Sequence, residues 1–427
     1  MYPSKNTTND RRRFLGLLTV SGLGLTAVPA LQAQENSVIE RPLVDSPPVL
    51  QCPSETGITV VWAVGKPATG WVQFGTDQEK LDQTAFGEEN GLLPYHDRFL
   101  QIRLSALKPN TQYFYQTATA SFKYVNAYKF ERGEPEFSSV YSFTTSGAGK
   151  ENGSFSVIND THENQKTLKL LTERLALLGS DYTVWNGDLV NSVENADQIV
   201  KAILRPAHSP FAAEHPLLFV PGNHDYRGNW SRNLELALPR WELNDLRDRE
   251  TSRNFAVRTG SLALIGLDTG EDKPDQHPAW AGLAKFEPYR VAQRDWLERA
   301  LNKPEIASAP FIVAFCHIPI FSSNPKANGG NVLEGFASFQ RQAGNLWGPI
   351  LTKHGVQLVV CAHQHRFHFD PATPERTWAQ VVGGGHNDKE QVTVIHGHTN
   401  SGKLELIVDE LRSGNELGRW TFEKRTT

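Results

Sequence analysis

The chain has 427 residues, 39% hydrophobic and 21% charged, with a formal net charge of -4, and is long enough for two domains because one core rarely serves beyond about 250–300 residues. That balance excludes an intrinsically disordered chain, and with no basic tract past the N-terminus nothing marks nucleic acid as a partner. Three cysteines, Cys52, Cys316 and Cys361, are too few for a disulfide framework; a Cys316–Cys361 pair is open, with two inert core thiols the favoured reading.

At the N-terminus, Arg11-Arg12-Arg13-Phe14-Leu15-Gly16 opens an apolar run from Leu17 to Val28, followed by small residues at Ala30 and Ala33. Basic, apolar and small in that order read as a signal peptide over residues 1–33. The run falls short of the ~20 residues that a spanning helix needs. The Arg-Arg-x-Phe-Leu arrangement resembles the twin-arginine type that bacteria use to export folded proteins. That resemblance implies the twin-arginine export machinery as a partner, a periplasmic or secreted location and no membrane span in the mature form.

A first domain is expected over residues 38–147, and from Pro47 the pattern has a period of two. Strands are expected at Ile58–Val64, Gly70–Gly75 and Phe99–Leu104, and a closing strand at Val140–Thr145. Between them, Leu107-Lys108-Pro109 followed by alternating Tyr113 and Tyr115 resembles the tyrosine corner of fibronectin type III and related sandwiches. This all-β domain holds no ligand or nucleophile cluster, so its expected role is to shape or shield a neighbouring site.

From residue 150 to 427 strands and helices alternate, which argues for a sheet covered by helices. The strand Ser154–Ile158 is followed by a helix with Leu168, Leu171, Leu175 and Leu178 on one face and Gly179 at its stop. Strands Tyr182–Trp185 and Leu217–Val220 follow, with a helix near Ala196–Leu204 between them. A hairpin over 254–267, a helix Tyr289–Asn302 and strands Phe311–Cys316 and Val356–Cys361 come next. Strands near Thr377–Val382, Gln391–Ile395, Lys403–Val408 and Arg419–Phe422 suggest a second, more antiparallel sheet. Loops Thr269–Glu287 and Ser322–Gly335 are candidates for the rim of a site.

The apolar strands end in Asp160 and His162, in Asp188, in Asn223 and His224, in His317, and in His363 and His365. Polar groups at the carboxyl ends of sheet strands are placed to act rather than to pack. Five such clusters converging on one place need a cation, because burying that many carboxylates and imidazoles without one is costly. A mixed Asp/Asn/His set suits divalent transition metals such as Fe, Mn or Zn. The number of ligands exceeds what one ion needs, and two ions sharing a carboxylate about 3.5–4 Å apart would use it all.

Asp-x-His, Gly-Asp, Gly222-Asn223-His224-Asp225, a strand-end His317 and His-x-His, in this order, resemble the calcineurin-like metallophosphoesterase superfamily. The match runs from about Phe155 to His365, and Gln293-Arg294-Asp295-Trp296-Leu297 resembles a helix of the same family. The sandwich domain in front is placed as in purple acid phosphatases. The resemblance implies a four-layer α/β/β/α domain in which Asp160, His162 and His365 hold one metal, Asp188 bridges, and Asn223, His317 and His363 hold the other. His224 then faces the leaving oxygen of the substrate, with Asp225 orienting it. Where purple acid phosphatases have Asp-x-Gly and a ligand tyrosine, this chain has His162 and Asn191, so no tyrosinate colour is expected. Ala314 and Ala362 also depart from the family pattern, in small ways.

Two such cations would acidify a bridging water, and the hydroxide would attack phosphorus while His224 assists the departing oxygen. A phosphomonoesterase acting on a small-molecule phosphate ester is the favoured reading. A phosphodiesterase of nucleotide or phospholipid type is the alternative, and a non-catalytic metal protein is disfavoured by the presence of His224. Tyr226, Arg366 and His386 are further candidates for substrate contact, and His396-Gly397-His398 ranks second to His363-Gln364-His365 as the last motif.

Overall fold

The computed structural model describes residues 41–242, 246–322 and 336–425. The expected export signal, residues 1–33, and residues 323–335 of the second expected rim loop lie outside the described residues. Parallel strands Ser154–Ile158, Tyr182–Asn186 and Leu217–Val220 lie side by side, with Ile158 opposite Trp185 and Trp185 opposite Phe219. Apart from half-buried Ser154 they are buried along their length, and mostly apolar, as strands covered on both faces must be. A second sheet holds Phe311–Cys316 and Leu358–Cys361 as parallel neighbours, flanked by Leu262–Leu267 on one side and Ala379–Val382 on the other.

Because successive side chains on a strand point to opposite faces, each strand feeds two cores. Val157, Val184, Leu218 and Val220 of the first sheet pack with Leu264, Val313, Phe315 and Val360 of the second. Ile158, Trp185 and Phe219 face instead the helix Gln165–Leu178 and the helical turn Val200–Leu204. On the far side, Ile265, Ile312, Ala314 and Val359 meet helices Phe286–Leu301 and Phe336–Lys353. The order is helix, sheet, sheet, helix, as the family resemblance implies. The first helix starts where the Asn164 side chain accepts from the Thr167 N–H and stops at Gly179 in a left-handed conformation (φ 54°).

The C-terminal strands differ from expectation. Thr393–Asn400, Lys403–Glu410 and Glu416–Glu423 do not build the second sheet; they extend the first, with Thr393–Asn400 antiparallel to Ser154–Ile158. Alternation along a strand says which face is apolar but not which sheet it joins. The helix Phe336–Lys353 was not read from the sequence, since Gly344, Gly348 and Pro349 interrupt its pattern.

At its other edge the first sheet runs on into the N-terminal region. Val49–Ser54 lies parallel to Leu217–Val220 through Gln51 and Leu217, and Gly57–Ala63 and Phe99–Leu104 complete nine strands. The outer face of these three packs on Ala68–Gly75 and Gln112–Asn126 around Trp62, Val72, Ile102 and Tyr115. Tyr113 closes the expected corner, its hydroxyl accepting from the Lys108 N–H at 3.0 Å. Tyr115 reaches further and donates to the Ala213 carbonyl at 2.7 Å. The three cysteines are free thiols, and Cys316 and Cys361 face each other in the core at 3.6 Å.

A buried charge cluster holds the two halves at this seam. Arg98 donates to Asp45 (2.5 Å) and to the Val64 carbonyl (2.7 Å), while Arg205 from the second half meets the other Asp45 oxygen at 3.1 Å. Removing one partner strands a charge away from water. Arg98→Ala is expected to destabilise the protein by about 3 kcal/mol, read as a lowered urea midpoint; a midpoint within error of wild type would show that Arg205 alone satisfies Asp45.

Candidate metal centre

Each strand of the parallel core ends in a tight turn that turns a side chain inward. Five of the seven expected ligands, Asp160, His162, Asp188, His363 and His365, adopt left-handed backbone conformations with φ between 42° and 72°. Such conformations cost about 1–3 kcal/mol each in residues with a Cβ and persist only where the surroundings enforce them. Two glycines allow the turns to close. A Cβ on Gly187 would stand 2.3 Å from His317 Nδ1, and one on Gly222 would stand 2.3 Å from Asp188 Oδ1.

All seven expected ligands come together. Asp160, His162, Asp188 and His365 form one group and Asp188, His317 and His363 another, so Asp188 is common to both. Asn223 joins the second group, its Oδ1 2.9 Å from His363 Nδ1. The site is deeply buried: Asp160, Asp188, Asn223 and His317 expose 1% of their surface or less.

Hydrogen bonds fix where the protons are, and that decides whether the cluster suits a metal. His317 Nδ1 faces the Asn186 carbonyl at 2.8 Å and must carry a proton to donate there. Its Nε2 is thereby the nitrogen left to ligate, 3.2 Å from Asp188 Oδ2 and 3.8 Å from Asp160 Oδ1. In the same way His365 Nδ1 donates to Glu390 Oε1 at 3.1 Å, and its Nε2 faces Asp160 Oδ1 at 3.4 Å and His162 Nε2 at 3.2 Å. Asp160 Oδ1 and His317 Nε2 are buried and have no hydrogen-bond partner. Acceptors that converge without donors need a cation among them, so the donor set fits the two metal ions that the family implies.

Titration divides the histidines into two kinds. Burial holds His162 and His363 down at about 4, so both are neutral at pH 7, the form that ligates. At His317 burial is outweighed by the carboxylates of Asp188 and Asp160, which push the ring up to about 10, so without a cation a proton sits on Nε2, in the place that a metal would take over by displacing it. At Asp188 burial is outweighed by His317, which holds its carboxyl well below the usual range.

His224 stands at the edge of the cluster. Its backbone N–H donates to Asp188 Oδ1 at 2.9 Å, and its ring centre is 4.9 Å from that of His162. The ring itself is oriented by Asn191, whose carbonyl accepts from Nδ1 at 2.6 Å. The expected role of Asp225 therefore needs correction. Its carboxylate does not hold the His224 ring; it accepts from the backbone N–H groups of Gly222 (2.8 Å), Asp188 (3.0 Å) and Leu189 (3.1 Å). It ties two strand-end turns together and so positions the shared ligand.

Several neighbours were not read from the sequence. Arg227 donates to His224 Nε2 at 2.9 Å and is gripped by Glu271 (2.7 Å) and Asp272 (3.3 Å), which lie in the first expected rim loop. Burial lowers Arg227, but Glu271 outweighs it and raises the group above its ordinary value. Glu390 accepts from His365 and from the His386 N–H (2.8 Å), and the His386 ring lies 4.5 Å from that of His162, so His386 does belong to the site. His386 is a candidate from the sequence; Glu390 is not, and only its four-residue spacing from His386 could have suggested it. Gln293 explains the helix motif around it, bonding both the N–H and the carbonyl of Asp268. Of the remaining candidates, Arg366 is exposed and the Tyr226 hydroxyl is taken by Asp268. His396 and His398 pair with Asp409 and Glu405 on a strand.

The family described as calcineurin-like phosphoesterase matches residues 154–367, half of the chain, and the purple acid phosphatase N-terminal domain matches residues 48–145. Among curated proteins, purple acid phosphatase 15 of Arabidopsis thaliana is 22% identical over 76% of this chain, and acid phosphatase type 7 of Mus musculus is 24% identical over 83% of it. The chain spans 62% of the length of the first and 77% of the second. A solved purple acid phosphatase, PPD1 from yellow lupin seeds, shares the fold with a TM-score of 0.62 and 15% identity, covering 90% of this chain and 74% of that one. A structure of PhoD does so with a TM-score of 0.56 and 12% identity, covering 91% and 93%.

If Asp225 positions the turns, Asp225→Ala is expected to lower the metal content of the purified protein, measured by elemental analysis. Full metal content with a reduced rate would instead restore it to the orientation of His224.

Proposed function

Because the chain belongs to the calcineurin-like phosphoesterase family, we propose that it is a metal-dependent hydrolase of phosphoric esters that favours monoesters. The observation that carries the reading is the place of Asp188 in both ligand groups, with His224 and Arg227 beside it. The relatives named acid phosphatases support the monoester preference. Asp160, His162, Asp188 and His365 would hold one divalent transition metal, Fe, Mn or Zn, and Asp188, Asn223, His317 and His363 the other. When bound, a pair of such ions supplies positive charge for the phosphoryl oxygens and acidifies water for attack at neutral pH.

The remaining work falls to side chains. His224, anchored through Nδ1 on Asn191, accepts from Arg227 at Nε2; to give a proton to the departing oxygen, Nε2 would exchange that contact for a proton of its own. Arg227 reaches that same nitrogen and brings a positive charge to where negative charge develops, with Glu271 and Asp272 fixing its position. Asn191 stands where purple acid phosphatases place a ligand tyrosine, so the loaded protein is expected to be colourless. Residues 1–33 act as a twin-arginine-type export signal in this reading, which places the mature enzyme in the periplasm or outside the cell; replacing Arg11 and Arg12 by lysine would then keep it in the cytoplasm.

Asp188→Asn should lose both bound metal and turnover, and retention of both would remove the bridging assignment. His224→Ala should keep its metals while kcat falls by about a hundredfold or more, with a larger loss for substrates whose leaving groups are poor. An equal rate across leaving groups would exclude proton transfer by His224.

A further inference from the structure

The turn that carries His224 also forms a wall of a second cavity. Two residues on, Tyr226 lines a space of about 510 Å³ beside the N-terminal end of the helix Phe286–Leu301. That size lies within the range of small-molecule sites. Four cationic side chains line it: Arg232, Arg249, Arg253 and Lys285. None of the four makes a side-chain hydrogen bond or ion pair among the described residues. Among the described residues Glu250 is the one carboxylate on the wall, and a fifth cation there, Arg240, is already paired with Glu235 at 2.5 Å.

This grouping is unlike the rest of the molecule. The chain as a whole is acidic, and its other buried or half-buried arginines, such as Arg98, Arg227 and Arg290, are matched by carboxylates or carbonyls. The buried Asp268 is bonded to the hydroxyls of Tyr226 and Tyr289. Burial lowers Arg253, but the charge of Asp268, with that of Glu235, acts against it and raises the group above its ordinary value, though no direct ion pair forms between Asp268 and Arg253, so Arg232, Arg249 and Lys285 carry most of the uncompensated charge. Like charges gathered in a concave surface repel one another and concentrate anions there. Aromatic rings complete the wall: Trp280 and Phe286 meet edge to face at 5.9 Å, and Phe286 meets Tyr226 at 4.9 Å. Guanidinium groups match phosphate geometry, and aromatic faces take planar rings.

We infer that this cavity binds a small, ring-bearing polyanion of nucleotide-like chemistry, at a site separate from the metal centre. Through Tyr226, occupancy would bear on the turn that carries His224.

The test is calorimetric titration of the metal-loaded protein with the β,γ-methylene analogue of ATP, in orthophosphate sufficient to saturate the metal centre. Binding of one molecule per chain is expected. Arg249→Glu combined with Lys285→Glu should weaken it by about tenfold or more, with metal content and KM for phenyl phosphate unchanged. Trp280→Ala should weaken the analogue more than inorganic tripolyphosphate, which has no ring. Absence of binding in the wild type, or equal affinity in the double variant, would each overturn the site.

Discussion

The constraint on which the structure depends is the burial of carboxylates and imidazoles with their lone pairs facing one another. Asp188 Oδ2 lies 3.2 Å from a His317 nitrogen whose ring proton is already given to the Asn186 carbonyl, and two Nε2 atoms, of His162 and His365, stand 3.2 Å apart. A protein interior does not tolerate such contacts unless positive charge lies between them. The rest of the centre can be understood as means of holding these groups in place. Asn186 and Glu390 fix the tautomers of His317 and His365, Asp225 ties the turns, and strained backbone at five ligand residues is sustained by the two packed sheets behind it.

Sheet architecture supplies the convergence. Three ligand-bearing turns leave adjacent parallel strands of one sheet and two leave adjacent parallel strands of the other. Because the sheets pack face to face through Val184, Val220, Phe315 and Val360, the turns at their carboxyl ends meet without any long loop having to be ordered first. The N-terminal sandwich is not a loosely tethered module in this arrangement. Its strands Val49–Ser54, Gly57–Ala63 and Phe99–Leu104 lengthen the first sheet, and Tyr115 and Asp45 bond across the seam to Ala213 and Arg205, so a change in the sandwich is felt by the sheet that carries Asp160, Asp188 and Asn223.

Much of this was legible in the sequence where the signal is local. The apolar runs ending in Asp160, Asp188, Asn223, His317 and His363 gave strand and ligand together, because a buried parallel strand and its polar end are one contiguous stretch. What sequence could not supply was pairing between distant elements. The last three strands read as strands but not as members of the first sheet, and the helix Phe336–Lys353 was hidden by Gly344, Gly348 and Pro349. Side-chain direction was equally out of reach. Asp225 follows His224 directly, yet its carboxylate serves three backbone N–H groups, while Asn191 and Arg227 are the groups on the imidazole.

The central claim is that two cations, sharing Asp188, compensate the buried acceptors. Anomalous scattering from crystals of the natively loaded protein tests it most directly. Two peaks about 3.5 Å apart, one among Asp160, His162 and His365 and one among Asn223, His317 and His363, are predicted. A fully folded protein with one peak, or with none, would contradict the account.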